Sequence, residues 1–266
     1  MKAMQSVLNV NNLSISFGGI KAVDDLSFNI NENEIFGLIG PNGAGKTTVF
    51  NCITQFYKPN QGTIQFKSKQ GNLVELTSLQ PHQIIELGLV RTFQNIELIR
   101  ELSIIDNVLV GAHIDFKSSV LAQTLQTKKA KEEETQIRKQ AFDILKTLGI
   151  DDRKDMIVAG QPYGILKKVE LARTLMCAPK LIILDEPAAG LNDTETLALA
   201  KVIRDIRDQY HCGILLVEHD MRLVMDVCDQ ICAINFGKLL AIGSPKDIQK
   251  NANVQAAYLG YQESET

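Results

Sequence analysis

The chain has 266 residues, 45% of them hydrophobic and 22% charged. That is enough to bury a substantial core as one large α/β domain, or one with an inserted lobe, and disorder is not expected. A formal charge of −3 and a pI near 5.9 give no broad attraction to DNA, RNA or anionic lipid, so nucleic acid is not an expected partner. Apolar runs such as "LIIL" and "ILLV" fall far short of the roughly 18 residues that a membrane-spanning helix needs. The opening "MKAMQSVLNVNN" lacks a signal peptide's apolar core, so the expected location is cytosolic.

In chain order, β-like runs over 7–17 and 26–30 precede "EIFGLIG", a strand-like run ending at Gly40. A helix candidate starts at Lys46, and "GTIQF" over 62–66 reads as a further strand after a glycine turn. From 96 to 176, periodic apolar positions without a convincing strand suggest a mostly helical insertion. Its mixed-sign segment "KKAKEEETQIRKQ" reads as a solvated helix face. Beyond 178, "KLIILDEP", a helix over 194–210, "GILLVEHD", a helix over 221–227 and "QICAIN" alternate, which predicts a parallel sheet covered on both faces. Cys52, Cys177, Cys212, Cys228 and Cys232 lie in apolar-rich segments and read as buried, reduced thiols. Cys228 and Cys232 could share a helix face, but without a histidine or a second pair that is weak support for a metal.

"GPNGAGKT", Gly40 to Thr47, fits glycine, any four, glycine, lysine, Ser/Thr, and it sits between a strand and a helix as that pattern requires. Glycines let the backbone curl so that amide N–H groups face phosphate oxygens, and the positive end of the next helix points there. Lys46 would neutralise the β and γ phosphates and Thr47 would ligate Mg²⁺. The alternative is a glycine-rich turn that caps a helix. In "LIILDEP", a buried strand delivers Asp185 and Glu186. A carboxylate at such a strand end can hold Mg²⁺ through water, and its neighbour can deprotonate an attacking water. Alternatively both are helix-capping acids before Pro187. The long separation of Lys46 from Asp185 implies a large insertion between the halves of the site.

The order of phosphate loop, "RTFQN" with Gln94, "YG" before a basic helix, "LIILDEPAAGLN", and "LLVEHD" with His219 resembles the ATP-binding subunit of ABC transporters. "FGGIKAVDDLSF", "VRTFQN", "PAAGLND" and "AAYLG" look most like the LivG-type subunit of branched-chain (hydrophobic) amino acid importers. The resemblance implies a single nucleotide-binding domain over 1–266 of the P-loop NTPase (ABC ATPase) class. Such a domain has a RecA-like parallel-sheet core, an N-terminal antiparallel β subdomain and an inserted helical subdomain at about 96–176. It implies ATP and Mg²⁺ as the bound groups. Gly40, Pro41, Asn42, Gly43, Ala44, Gly45, Lys46, Thr47 and Thr48 would line the phosphates. Phe17 would stack on adenine, unless it is a core strand residue. Gln94 would contact Mg²⁺ and the catalytic water while sensing a membrane partner, and His219 would bridge the γ-phosphate and Glu186. Asn192 stands in the dimer-contact loop where many members carry aspartate; it keeps the hydrogen bond but not the charge.

In this family the loop before the basic helix clamps ATP held by an opposing subunit. Here it reads "GQPYGI", with Tyr163 and Gly164 as contact positions. Pro162 replaces a serine and supplies neither hydroxyl nor N–H, and Ile165 replaces a glutamine. The loss of one such donor would cost roughly 3 kcal/mol, a slowing rather than an end to turnover. The expected partners are a second ABC ATPase subunit, a heterodimer being favoured, and integral membrane permease subunits, with an extracytoplasmic substrate-binding protein acting indirectly. The expected place is the cytoplasmic face of the membrane. Rival readings are an ATP-dependent dimerising scaffold with little turnover, or an ATPase of lipopolysaccharide export or soluble cluster assembly.

Overall fold

The computed structural model describes residues 5–92, 97–112 and 128–262, without the side chains of 128–130 and 259–262. The chain opens with β1 (Ser6–Phe17), β2 (Ile20–Asn31) and β3 (Ile35–Ile39), after which the glycine-rich loop leads into α1 (Lys46–Ile53). Next come β4 (Gln61–Lys67), β5 (Leu73–Glu75), α2 (Pro81–Leu87) and β6 (Leu89–Arg91). They are followed by α3 (Ile104–Val110), α4 (Lys128–Thr147) and α5 (Tyr163–Met176). The remainder alternates β7 (Leu181–Asp185), α6 (Asp193–Tyr210), β8 (Gly213–Val217), α7 (Met221–Val227) and β9 (Gln230–Asn235). It closes with β10 (Lys238–Gly243), α8 (Pro245–Lys250) and α9 (Ala252–Gln262).

These elements fall into two compact units, one of residues 1–91 with 180–266 and one of 92–179. The first contains two sheets. One is antiparallel, ordered β2-β1-β4-β5; the other has six strands ordered β10-β9-β3-β8-β7-β6. In the larger sheet every neighbouring pair from β9 to β6 is parallel, and only β10 runs antiparallel to β9. β3, β7 and β8 are buried at every position, which explains why they read as unbroken apolar runs rather than alternating ones. Between the sheets a single core joins Leu8, Val10, Leu26 and Phe66 of one to Phe36, Leu38, Ile183 and Leu215 of the other, with Val49 and Phe50 of α1. Phe28 and Phe36 stack there with ring centres 5.4 Å apart.

The expectation of strands alternating with helices in a parallel sheet holds for the central strands, but alternation alone did not reveal β5, β6 and β10. The two cysteines do not share a helix: Cys228 closes α7 and Cys232 lies in β9. All five cysteines are free and buried, and burial pushes Cys52, Cys212 and Cys232 up to about 12.

In the second unit the described residues form helices and one isolated bridge, Ser103 to Ile157. Ser103 caps α3 by accepting from the Asp106 amide at 3.1 Å. Buried Asn107 ties the preceding loop down, accepting from Ile99 N at 2.9 Å and donating to its carbonyl at 3.0 Å. On α4, Ile137, Ala141, Ile144 and Leu145 are buried, a helical stripe, while the charged residues from Lys131 to Gln140 face outward or are half-buried.

Candidate functional site

The glycine-rich loop starts where fully buried β3 ends and finishes at Gly45, the residue before α1, with φ +103°. A Cβ at Gly45 would lie 2.6 Å from the Ala22 carbonyl oxygen, and one at Gly40 would lie 2.3 Å from that of Ile234. Both are closer than atoms can approach, so backbone on either side of the loop dictates glycine at its two ends. The turn after β9 clamps the loop as well. Gly237 N donates to Ala44 O at 2.9 Å, and Asp24 N donates to Gly237 O at 2.9 Å. Asn42, Gly43 and Thr47 are exposed and Thr48 is half-buried, while Pro41 and Ala44 are buried beneath them. Buried Lys46 donates from Nζ to Gly40 O at 2.7 Å and Pro41 O at 3.0 Å, so its ammonium lies within the curl of the loop. Burial lowers its pKa, and the negative charge of Glu186 opposes that shift.

Asp185 ends β7 and is 6% exposed. Arg91, at the end of neighbouring β6, reaches its Oδ2 at 3.2 Å and also donates to Asn51 Oδ1 of α1 at 2.9 Å. The guanidinium lies 4.3 Å from the centre of the Phe50 ring. Glu186 follows with φ +46°, a left-handed conformation uncommon outside glycine, and its amide donates to Val217 O at 2.9 Å. Beyond β8, His219 Nδ1 sits 3.7 Å from Glu186 Oε1, and its side chain is largely exposed. Between them in sequence, Glu218 is fully buried. Asp185 and Glu186 do not cap a helix: Asn192 caps α6, accepting from Glu195 N at 3.0 Å while Glu195 accepts from Asn192 N at 2.9 Å.

Phe17, at the end of β1, is 46% exposed, which sets aside the core reading. Its ring meets that of Tyr57 in a T-shaped contact with centres 5.2 Å apart. Gln94 lies outside the described residues. In the second unit, Tyr163 opens α5 and is exposed, Gly164 is half-buried, and Pro162 precedes the helix without a side-chain cap. The Pro162 carbonyl is already occupied, accepting from Ile165 N at 2.9 Å and Leu166 N at 3.1 Å. Sequence reasoning missed Arg91 and Glu218; the signal for Glu218 was a charged residue directly behind an apolar strand.

The two residues expected to hold a metal, Thr47 and Asp185, offer hard oxygens, a hydroxyl and a carboxylate. No group of three or more His, Cys, Asp or Glu able to hold a metal occurs among the described residues. Hydroxyl and carboxylate oxygens are donors of the kind Mg²⁺ takes, one or two from protein beside waters and substrate phosphate oxygens.

A curled loop between the central strand of a parallel sheet and a helix, with a carboxylate at the end of another strand of that sheet, defines a phosphate-loop nucleotide-binding fold. Residues 23–189 match the ABC transporter family model. LivG of Salmonella typhimurium, a high-affinity branched-chain amino acid transport ATP-binding protein, is 41% identical over 96% of this chain and 98% of its own. BraF of Pseudomonas aeruginosa, which bears the same description, is 39% identical over 96% and 98%. Among solved structures, the ADP conformation of an ATP-binding cassette of an ABC transporter matches with a TM-score of 0.82 and 29% identity, covering 96% of this chain and 99% of that one. The chain belongs to the ABC transporter family. Among the described residues, no helix is long and apolar enough to cross a membrane.

Proposed function

We propose that this chain is the ATP-hydrolysing subunit of a transporter that imports branched-chain, hydrophobic amino acids. One observation carries the chemistry: Glu186 is held in a left-handed turn, 3.7 Å from His219 and within electrostatic reach of buried Lys46. On this reading ATP enters with its phosphates in the loop from Gly40 to Thr48 and its adenine on Phe17. Lys46 gives up its loop carbonyls for β- and γ-phosphate oxygens. Glu186 takes a proton from the water that attacks the γ-phosphorus, and His219 steadies the γ-phosphate from the other side; the products are ADP and phosphate. Thr47, Asp185 and Gln94 would hold Mg²⁺, which spreads the negative charge of the transferring group.

The cargo assignment rests on the likeness to LivG and BraF over nearly the full length of all three chains. The second half of each site comes, on this reading, from an opposing ATPase subunit through its counterpart of Tyr163 and Gly164. On the same reading the chain sits at the cytoplasmic face, bound to membrane permeases that carry the cargo across and are fed by an extracytoplasmic binding protein. The test is the assembled complex with its membrane partners. It should retain ATP with Mg²⁺ and release phosphate, and Glu186→Gln should keep ATP while losing at least about a hundredfold in turnover. A wild-type complex that neither retains ATP nor releases phosphate removes the ATPase reading. Vesicles that hydrolyse ATP without accumulating leucine, isoleucine or valine remove the cargo reading alone.

A further inference from the structure

We propose that Glu218 is a positioning residue that sets Glu186 and His219 as one unit, an inference that rests on the ATPase reading above. Glu218 directly follows β8 and is 0% exposed. A carboxylate taken wholly out of water needs strong compensation. Among the described residues its only ion-pair partner is His219, at 3.8 Å. Backbone amides supply the compensation instead, and the two oxygens divide them. Oε1 accepts from Ala188 N at 2.7 Å; Oε2 accepts from His219 N at 2.9 Å and Asp220 N at 3.2 Å.

That division matters because the two groups of amides belong to different functional segments. Ala188 lies in the turn immediately after Glu186, whereas His219 and Asp220 form the loop after β8. Parallel pairing sets Asp185 beside Val217, so Glu186 and Glu218 leave their strands side by side. The left-handed turn at Glu186 is then pinned on both flanks: its own amide bonds Val217 O at 2.9 Å, and the Ala188 amide bonds Glu218. A strained conformation persists only while its surroundings hold it. Without the Glu218 clasp the turn can relax, the Glu186 carboxylate leaves its aim, and the 3.7 Å approach of His219 is no longer set.

Glu218→Gln keeps the shape but has one acceptor oxygen, and its NH₂ group would face amide donors, so one segment is released. A clasp and a mere structural plug then differ in what they disturb. The phosphate loop lies on β3 and α1, so ATP affinity of the variant chain should stay within about twofold, while turnover of the assembled complex falls roughly tenfold. In a Glu186→Gln background the same change should cost less than about twofold further in the residual turnover, because Glu218 acts through the aim of that carboxylate.

Unchanged turnover in Glu218→Gln overturns the proposal. So does an equal fold loss with and without the Glu186 carboxylate together with weakened ATP binding, which marks a plug. Should the glutamine variant fail to fold, Glu218→Asp keeps both oxygens on a shorter arm. Reduced turnover at intact ATP affinity is expected there, and wild-type turnover overturns the clasp. A wild-type complex without phosphate release defeats the ATPase reading instead, so the two failures are distinguishable.

Discussion

At the scale of single residues, the loop geometry separates glycines that look equivalent in sequence. Gly43 has φ +76° but nothing within 4 Å of an added Cβ, whereas Gly45 has φ +103° and the Ala22 carbonyl 2.6 Å away. Gly43→Ala should therefore cost only the left-handed backbone penalty, about 1–2 kcal/mol. Gly45→Ala adds a collision with backbone on a neighbouring strand, for a total of about 3 kcal/mol or more, and should also lose ATP. Urea unfolding of the two variants checks the order; similar midpoints would show that Ala22 yields freely. Other single residues carry pairings rather than shape. Arg91 joins Asp185, Asn51 and the Phe50 ring, so the candidate metal carboxylate is tied to the helix that follows the phosphate loop.

At the scale of elements, α6 shows how a departure from the family pattern is accommodated. Asn192 stands where aspartate is common, and its side chain still accepts from Glu195 N at 3.0 Å, while the Glu195 side chain completes the reciprocal cap by accepting from Asn192 N at 2.9 Å. The cap needs an acceptor oxygen, not a charge, so Asn192→Ala should destabilise the chain by about 1 kcal/mol. Asn192→Asp should be neutral or slightly stabilising, since a negative charge suits a helix amino terminus. Denaturant titration measures both, and an alanine variant as stable as the parent would mean that Asp193 and Arg222, paired at 2.8 Å, already hold this end. By contrast, α5 begins without a side-chain cap, because Pro162 has none to give and its carbonyl is taken by Ile165 and Leu166.

For the whole molecule, that difference has a consequence in the assembly proposed above. On that reading the Pro162 segment would serve the partner's ATP with one donor fewer, and Lys46, Asp185, Glu186 and His219 would serve this chain's own. In a heterodimer whose partner keeps the common serine, Glu186→Gln in this chain should reduce phosphate release more than the matching change in the partner, by up to about a hundredfold. Equal losses in the two single variants would mean that the proline carries no cost.

Much of this architecture was legible in the chain itself. Central strands buried on both faces announce themselves as apolar runs, and the helix over Met221–Val227 agrees with its periodicity to the residue. The phosphate loop was readable because its chemistry is local: eight consecutive residues carry the curl, the ammonium and the hydroxyl. The three-residue strands β5 and β6 are too short to show a period, and β10 lies half-exposed at a sheet edge, so none of them stood out. What tertiary structure alone decided are the pairings across long separations. Arg91 meets Asp185 over 94 positions and Glu218 meets Ala188 over 30, because parallel strands bring their carboxyl ends to one edge. Local pattern records which faces are buried; only the register of β6, β7 and β8 determines which carboxylate answers which amide or guanidinium.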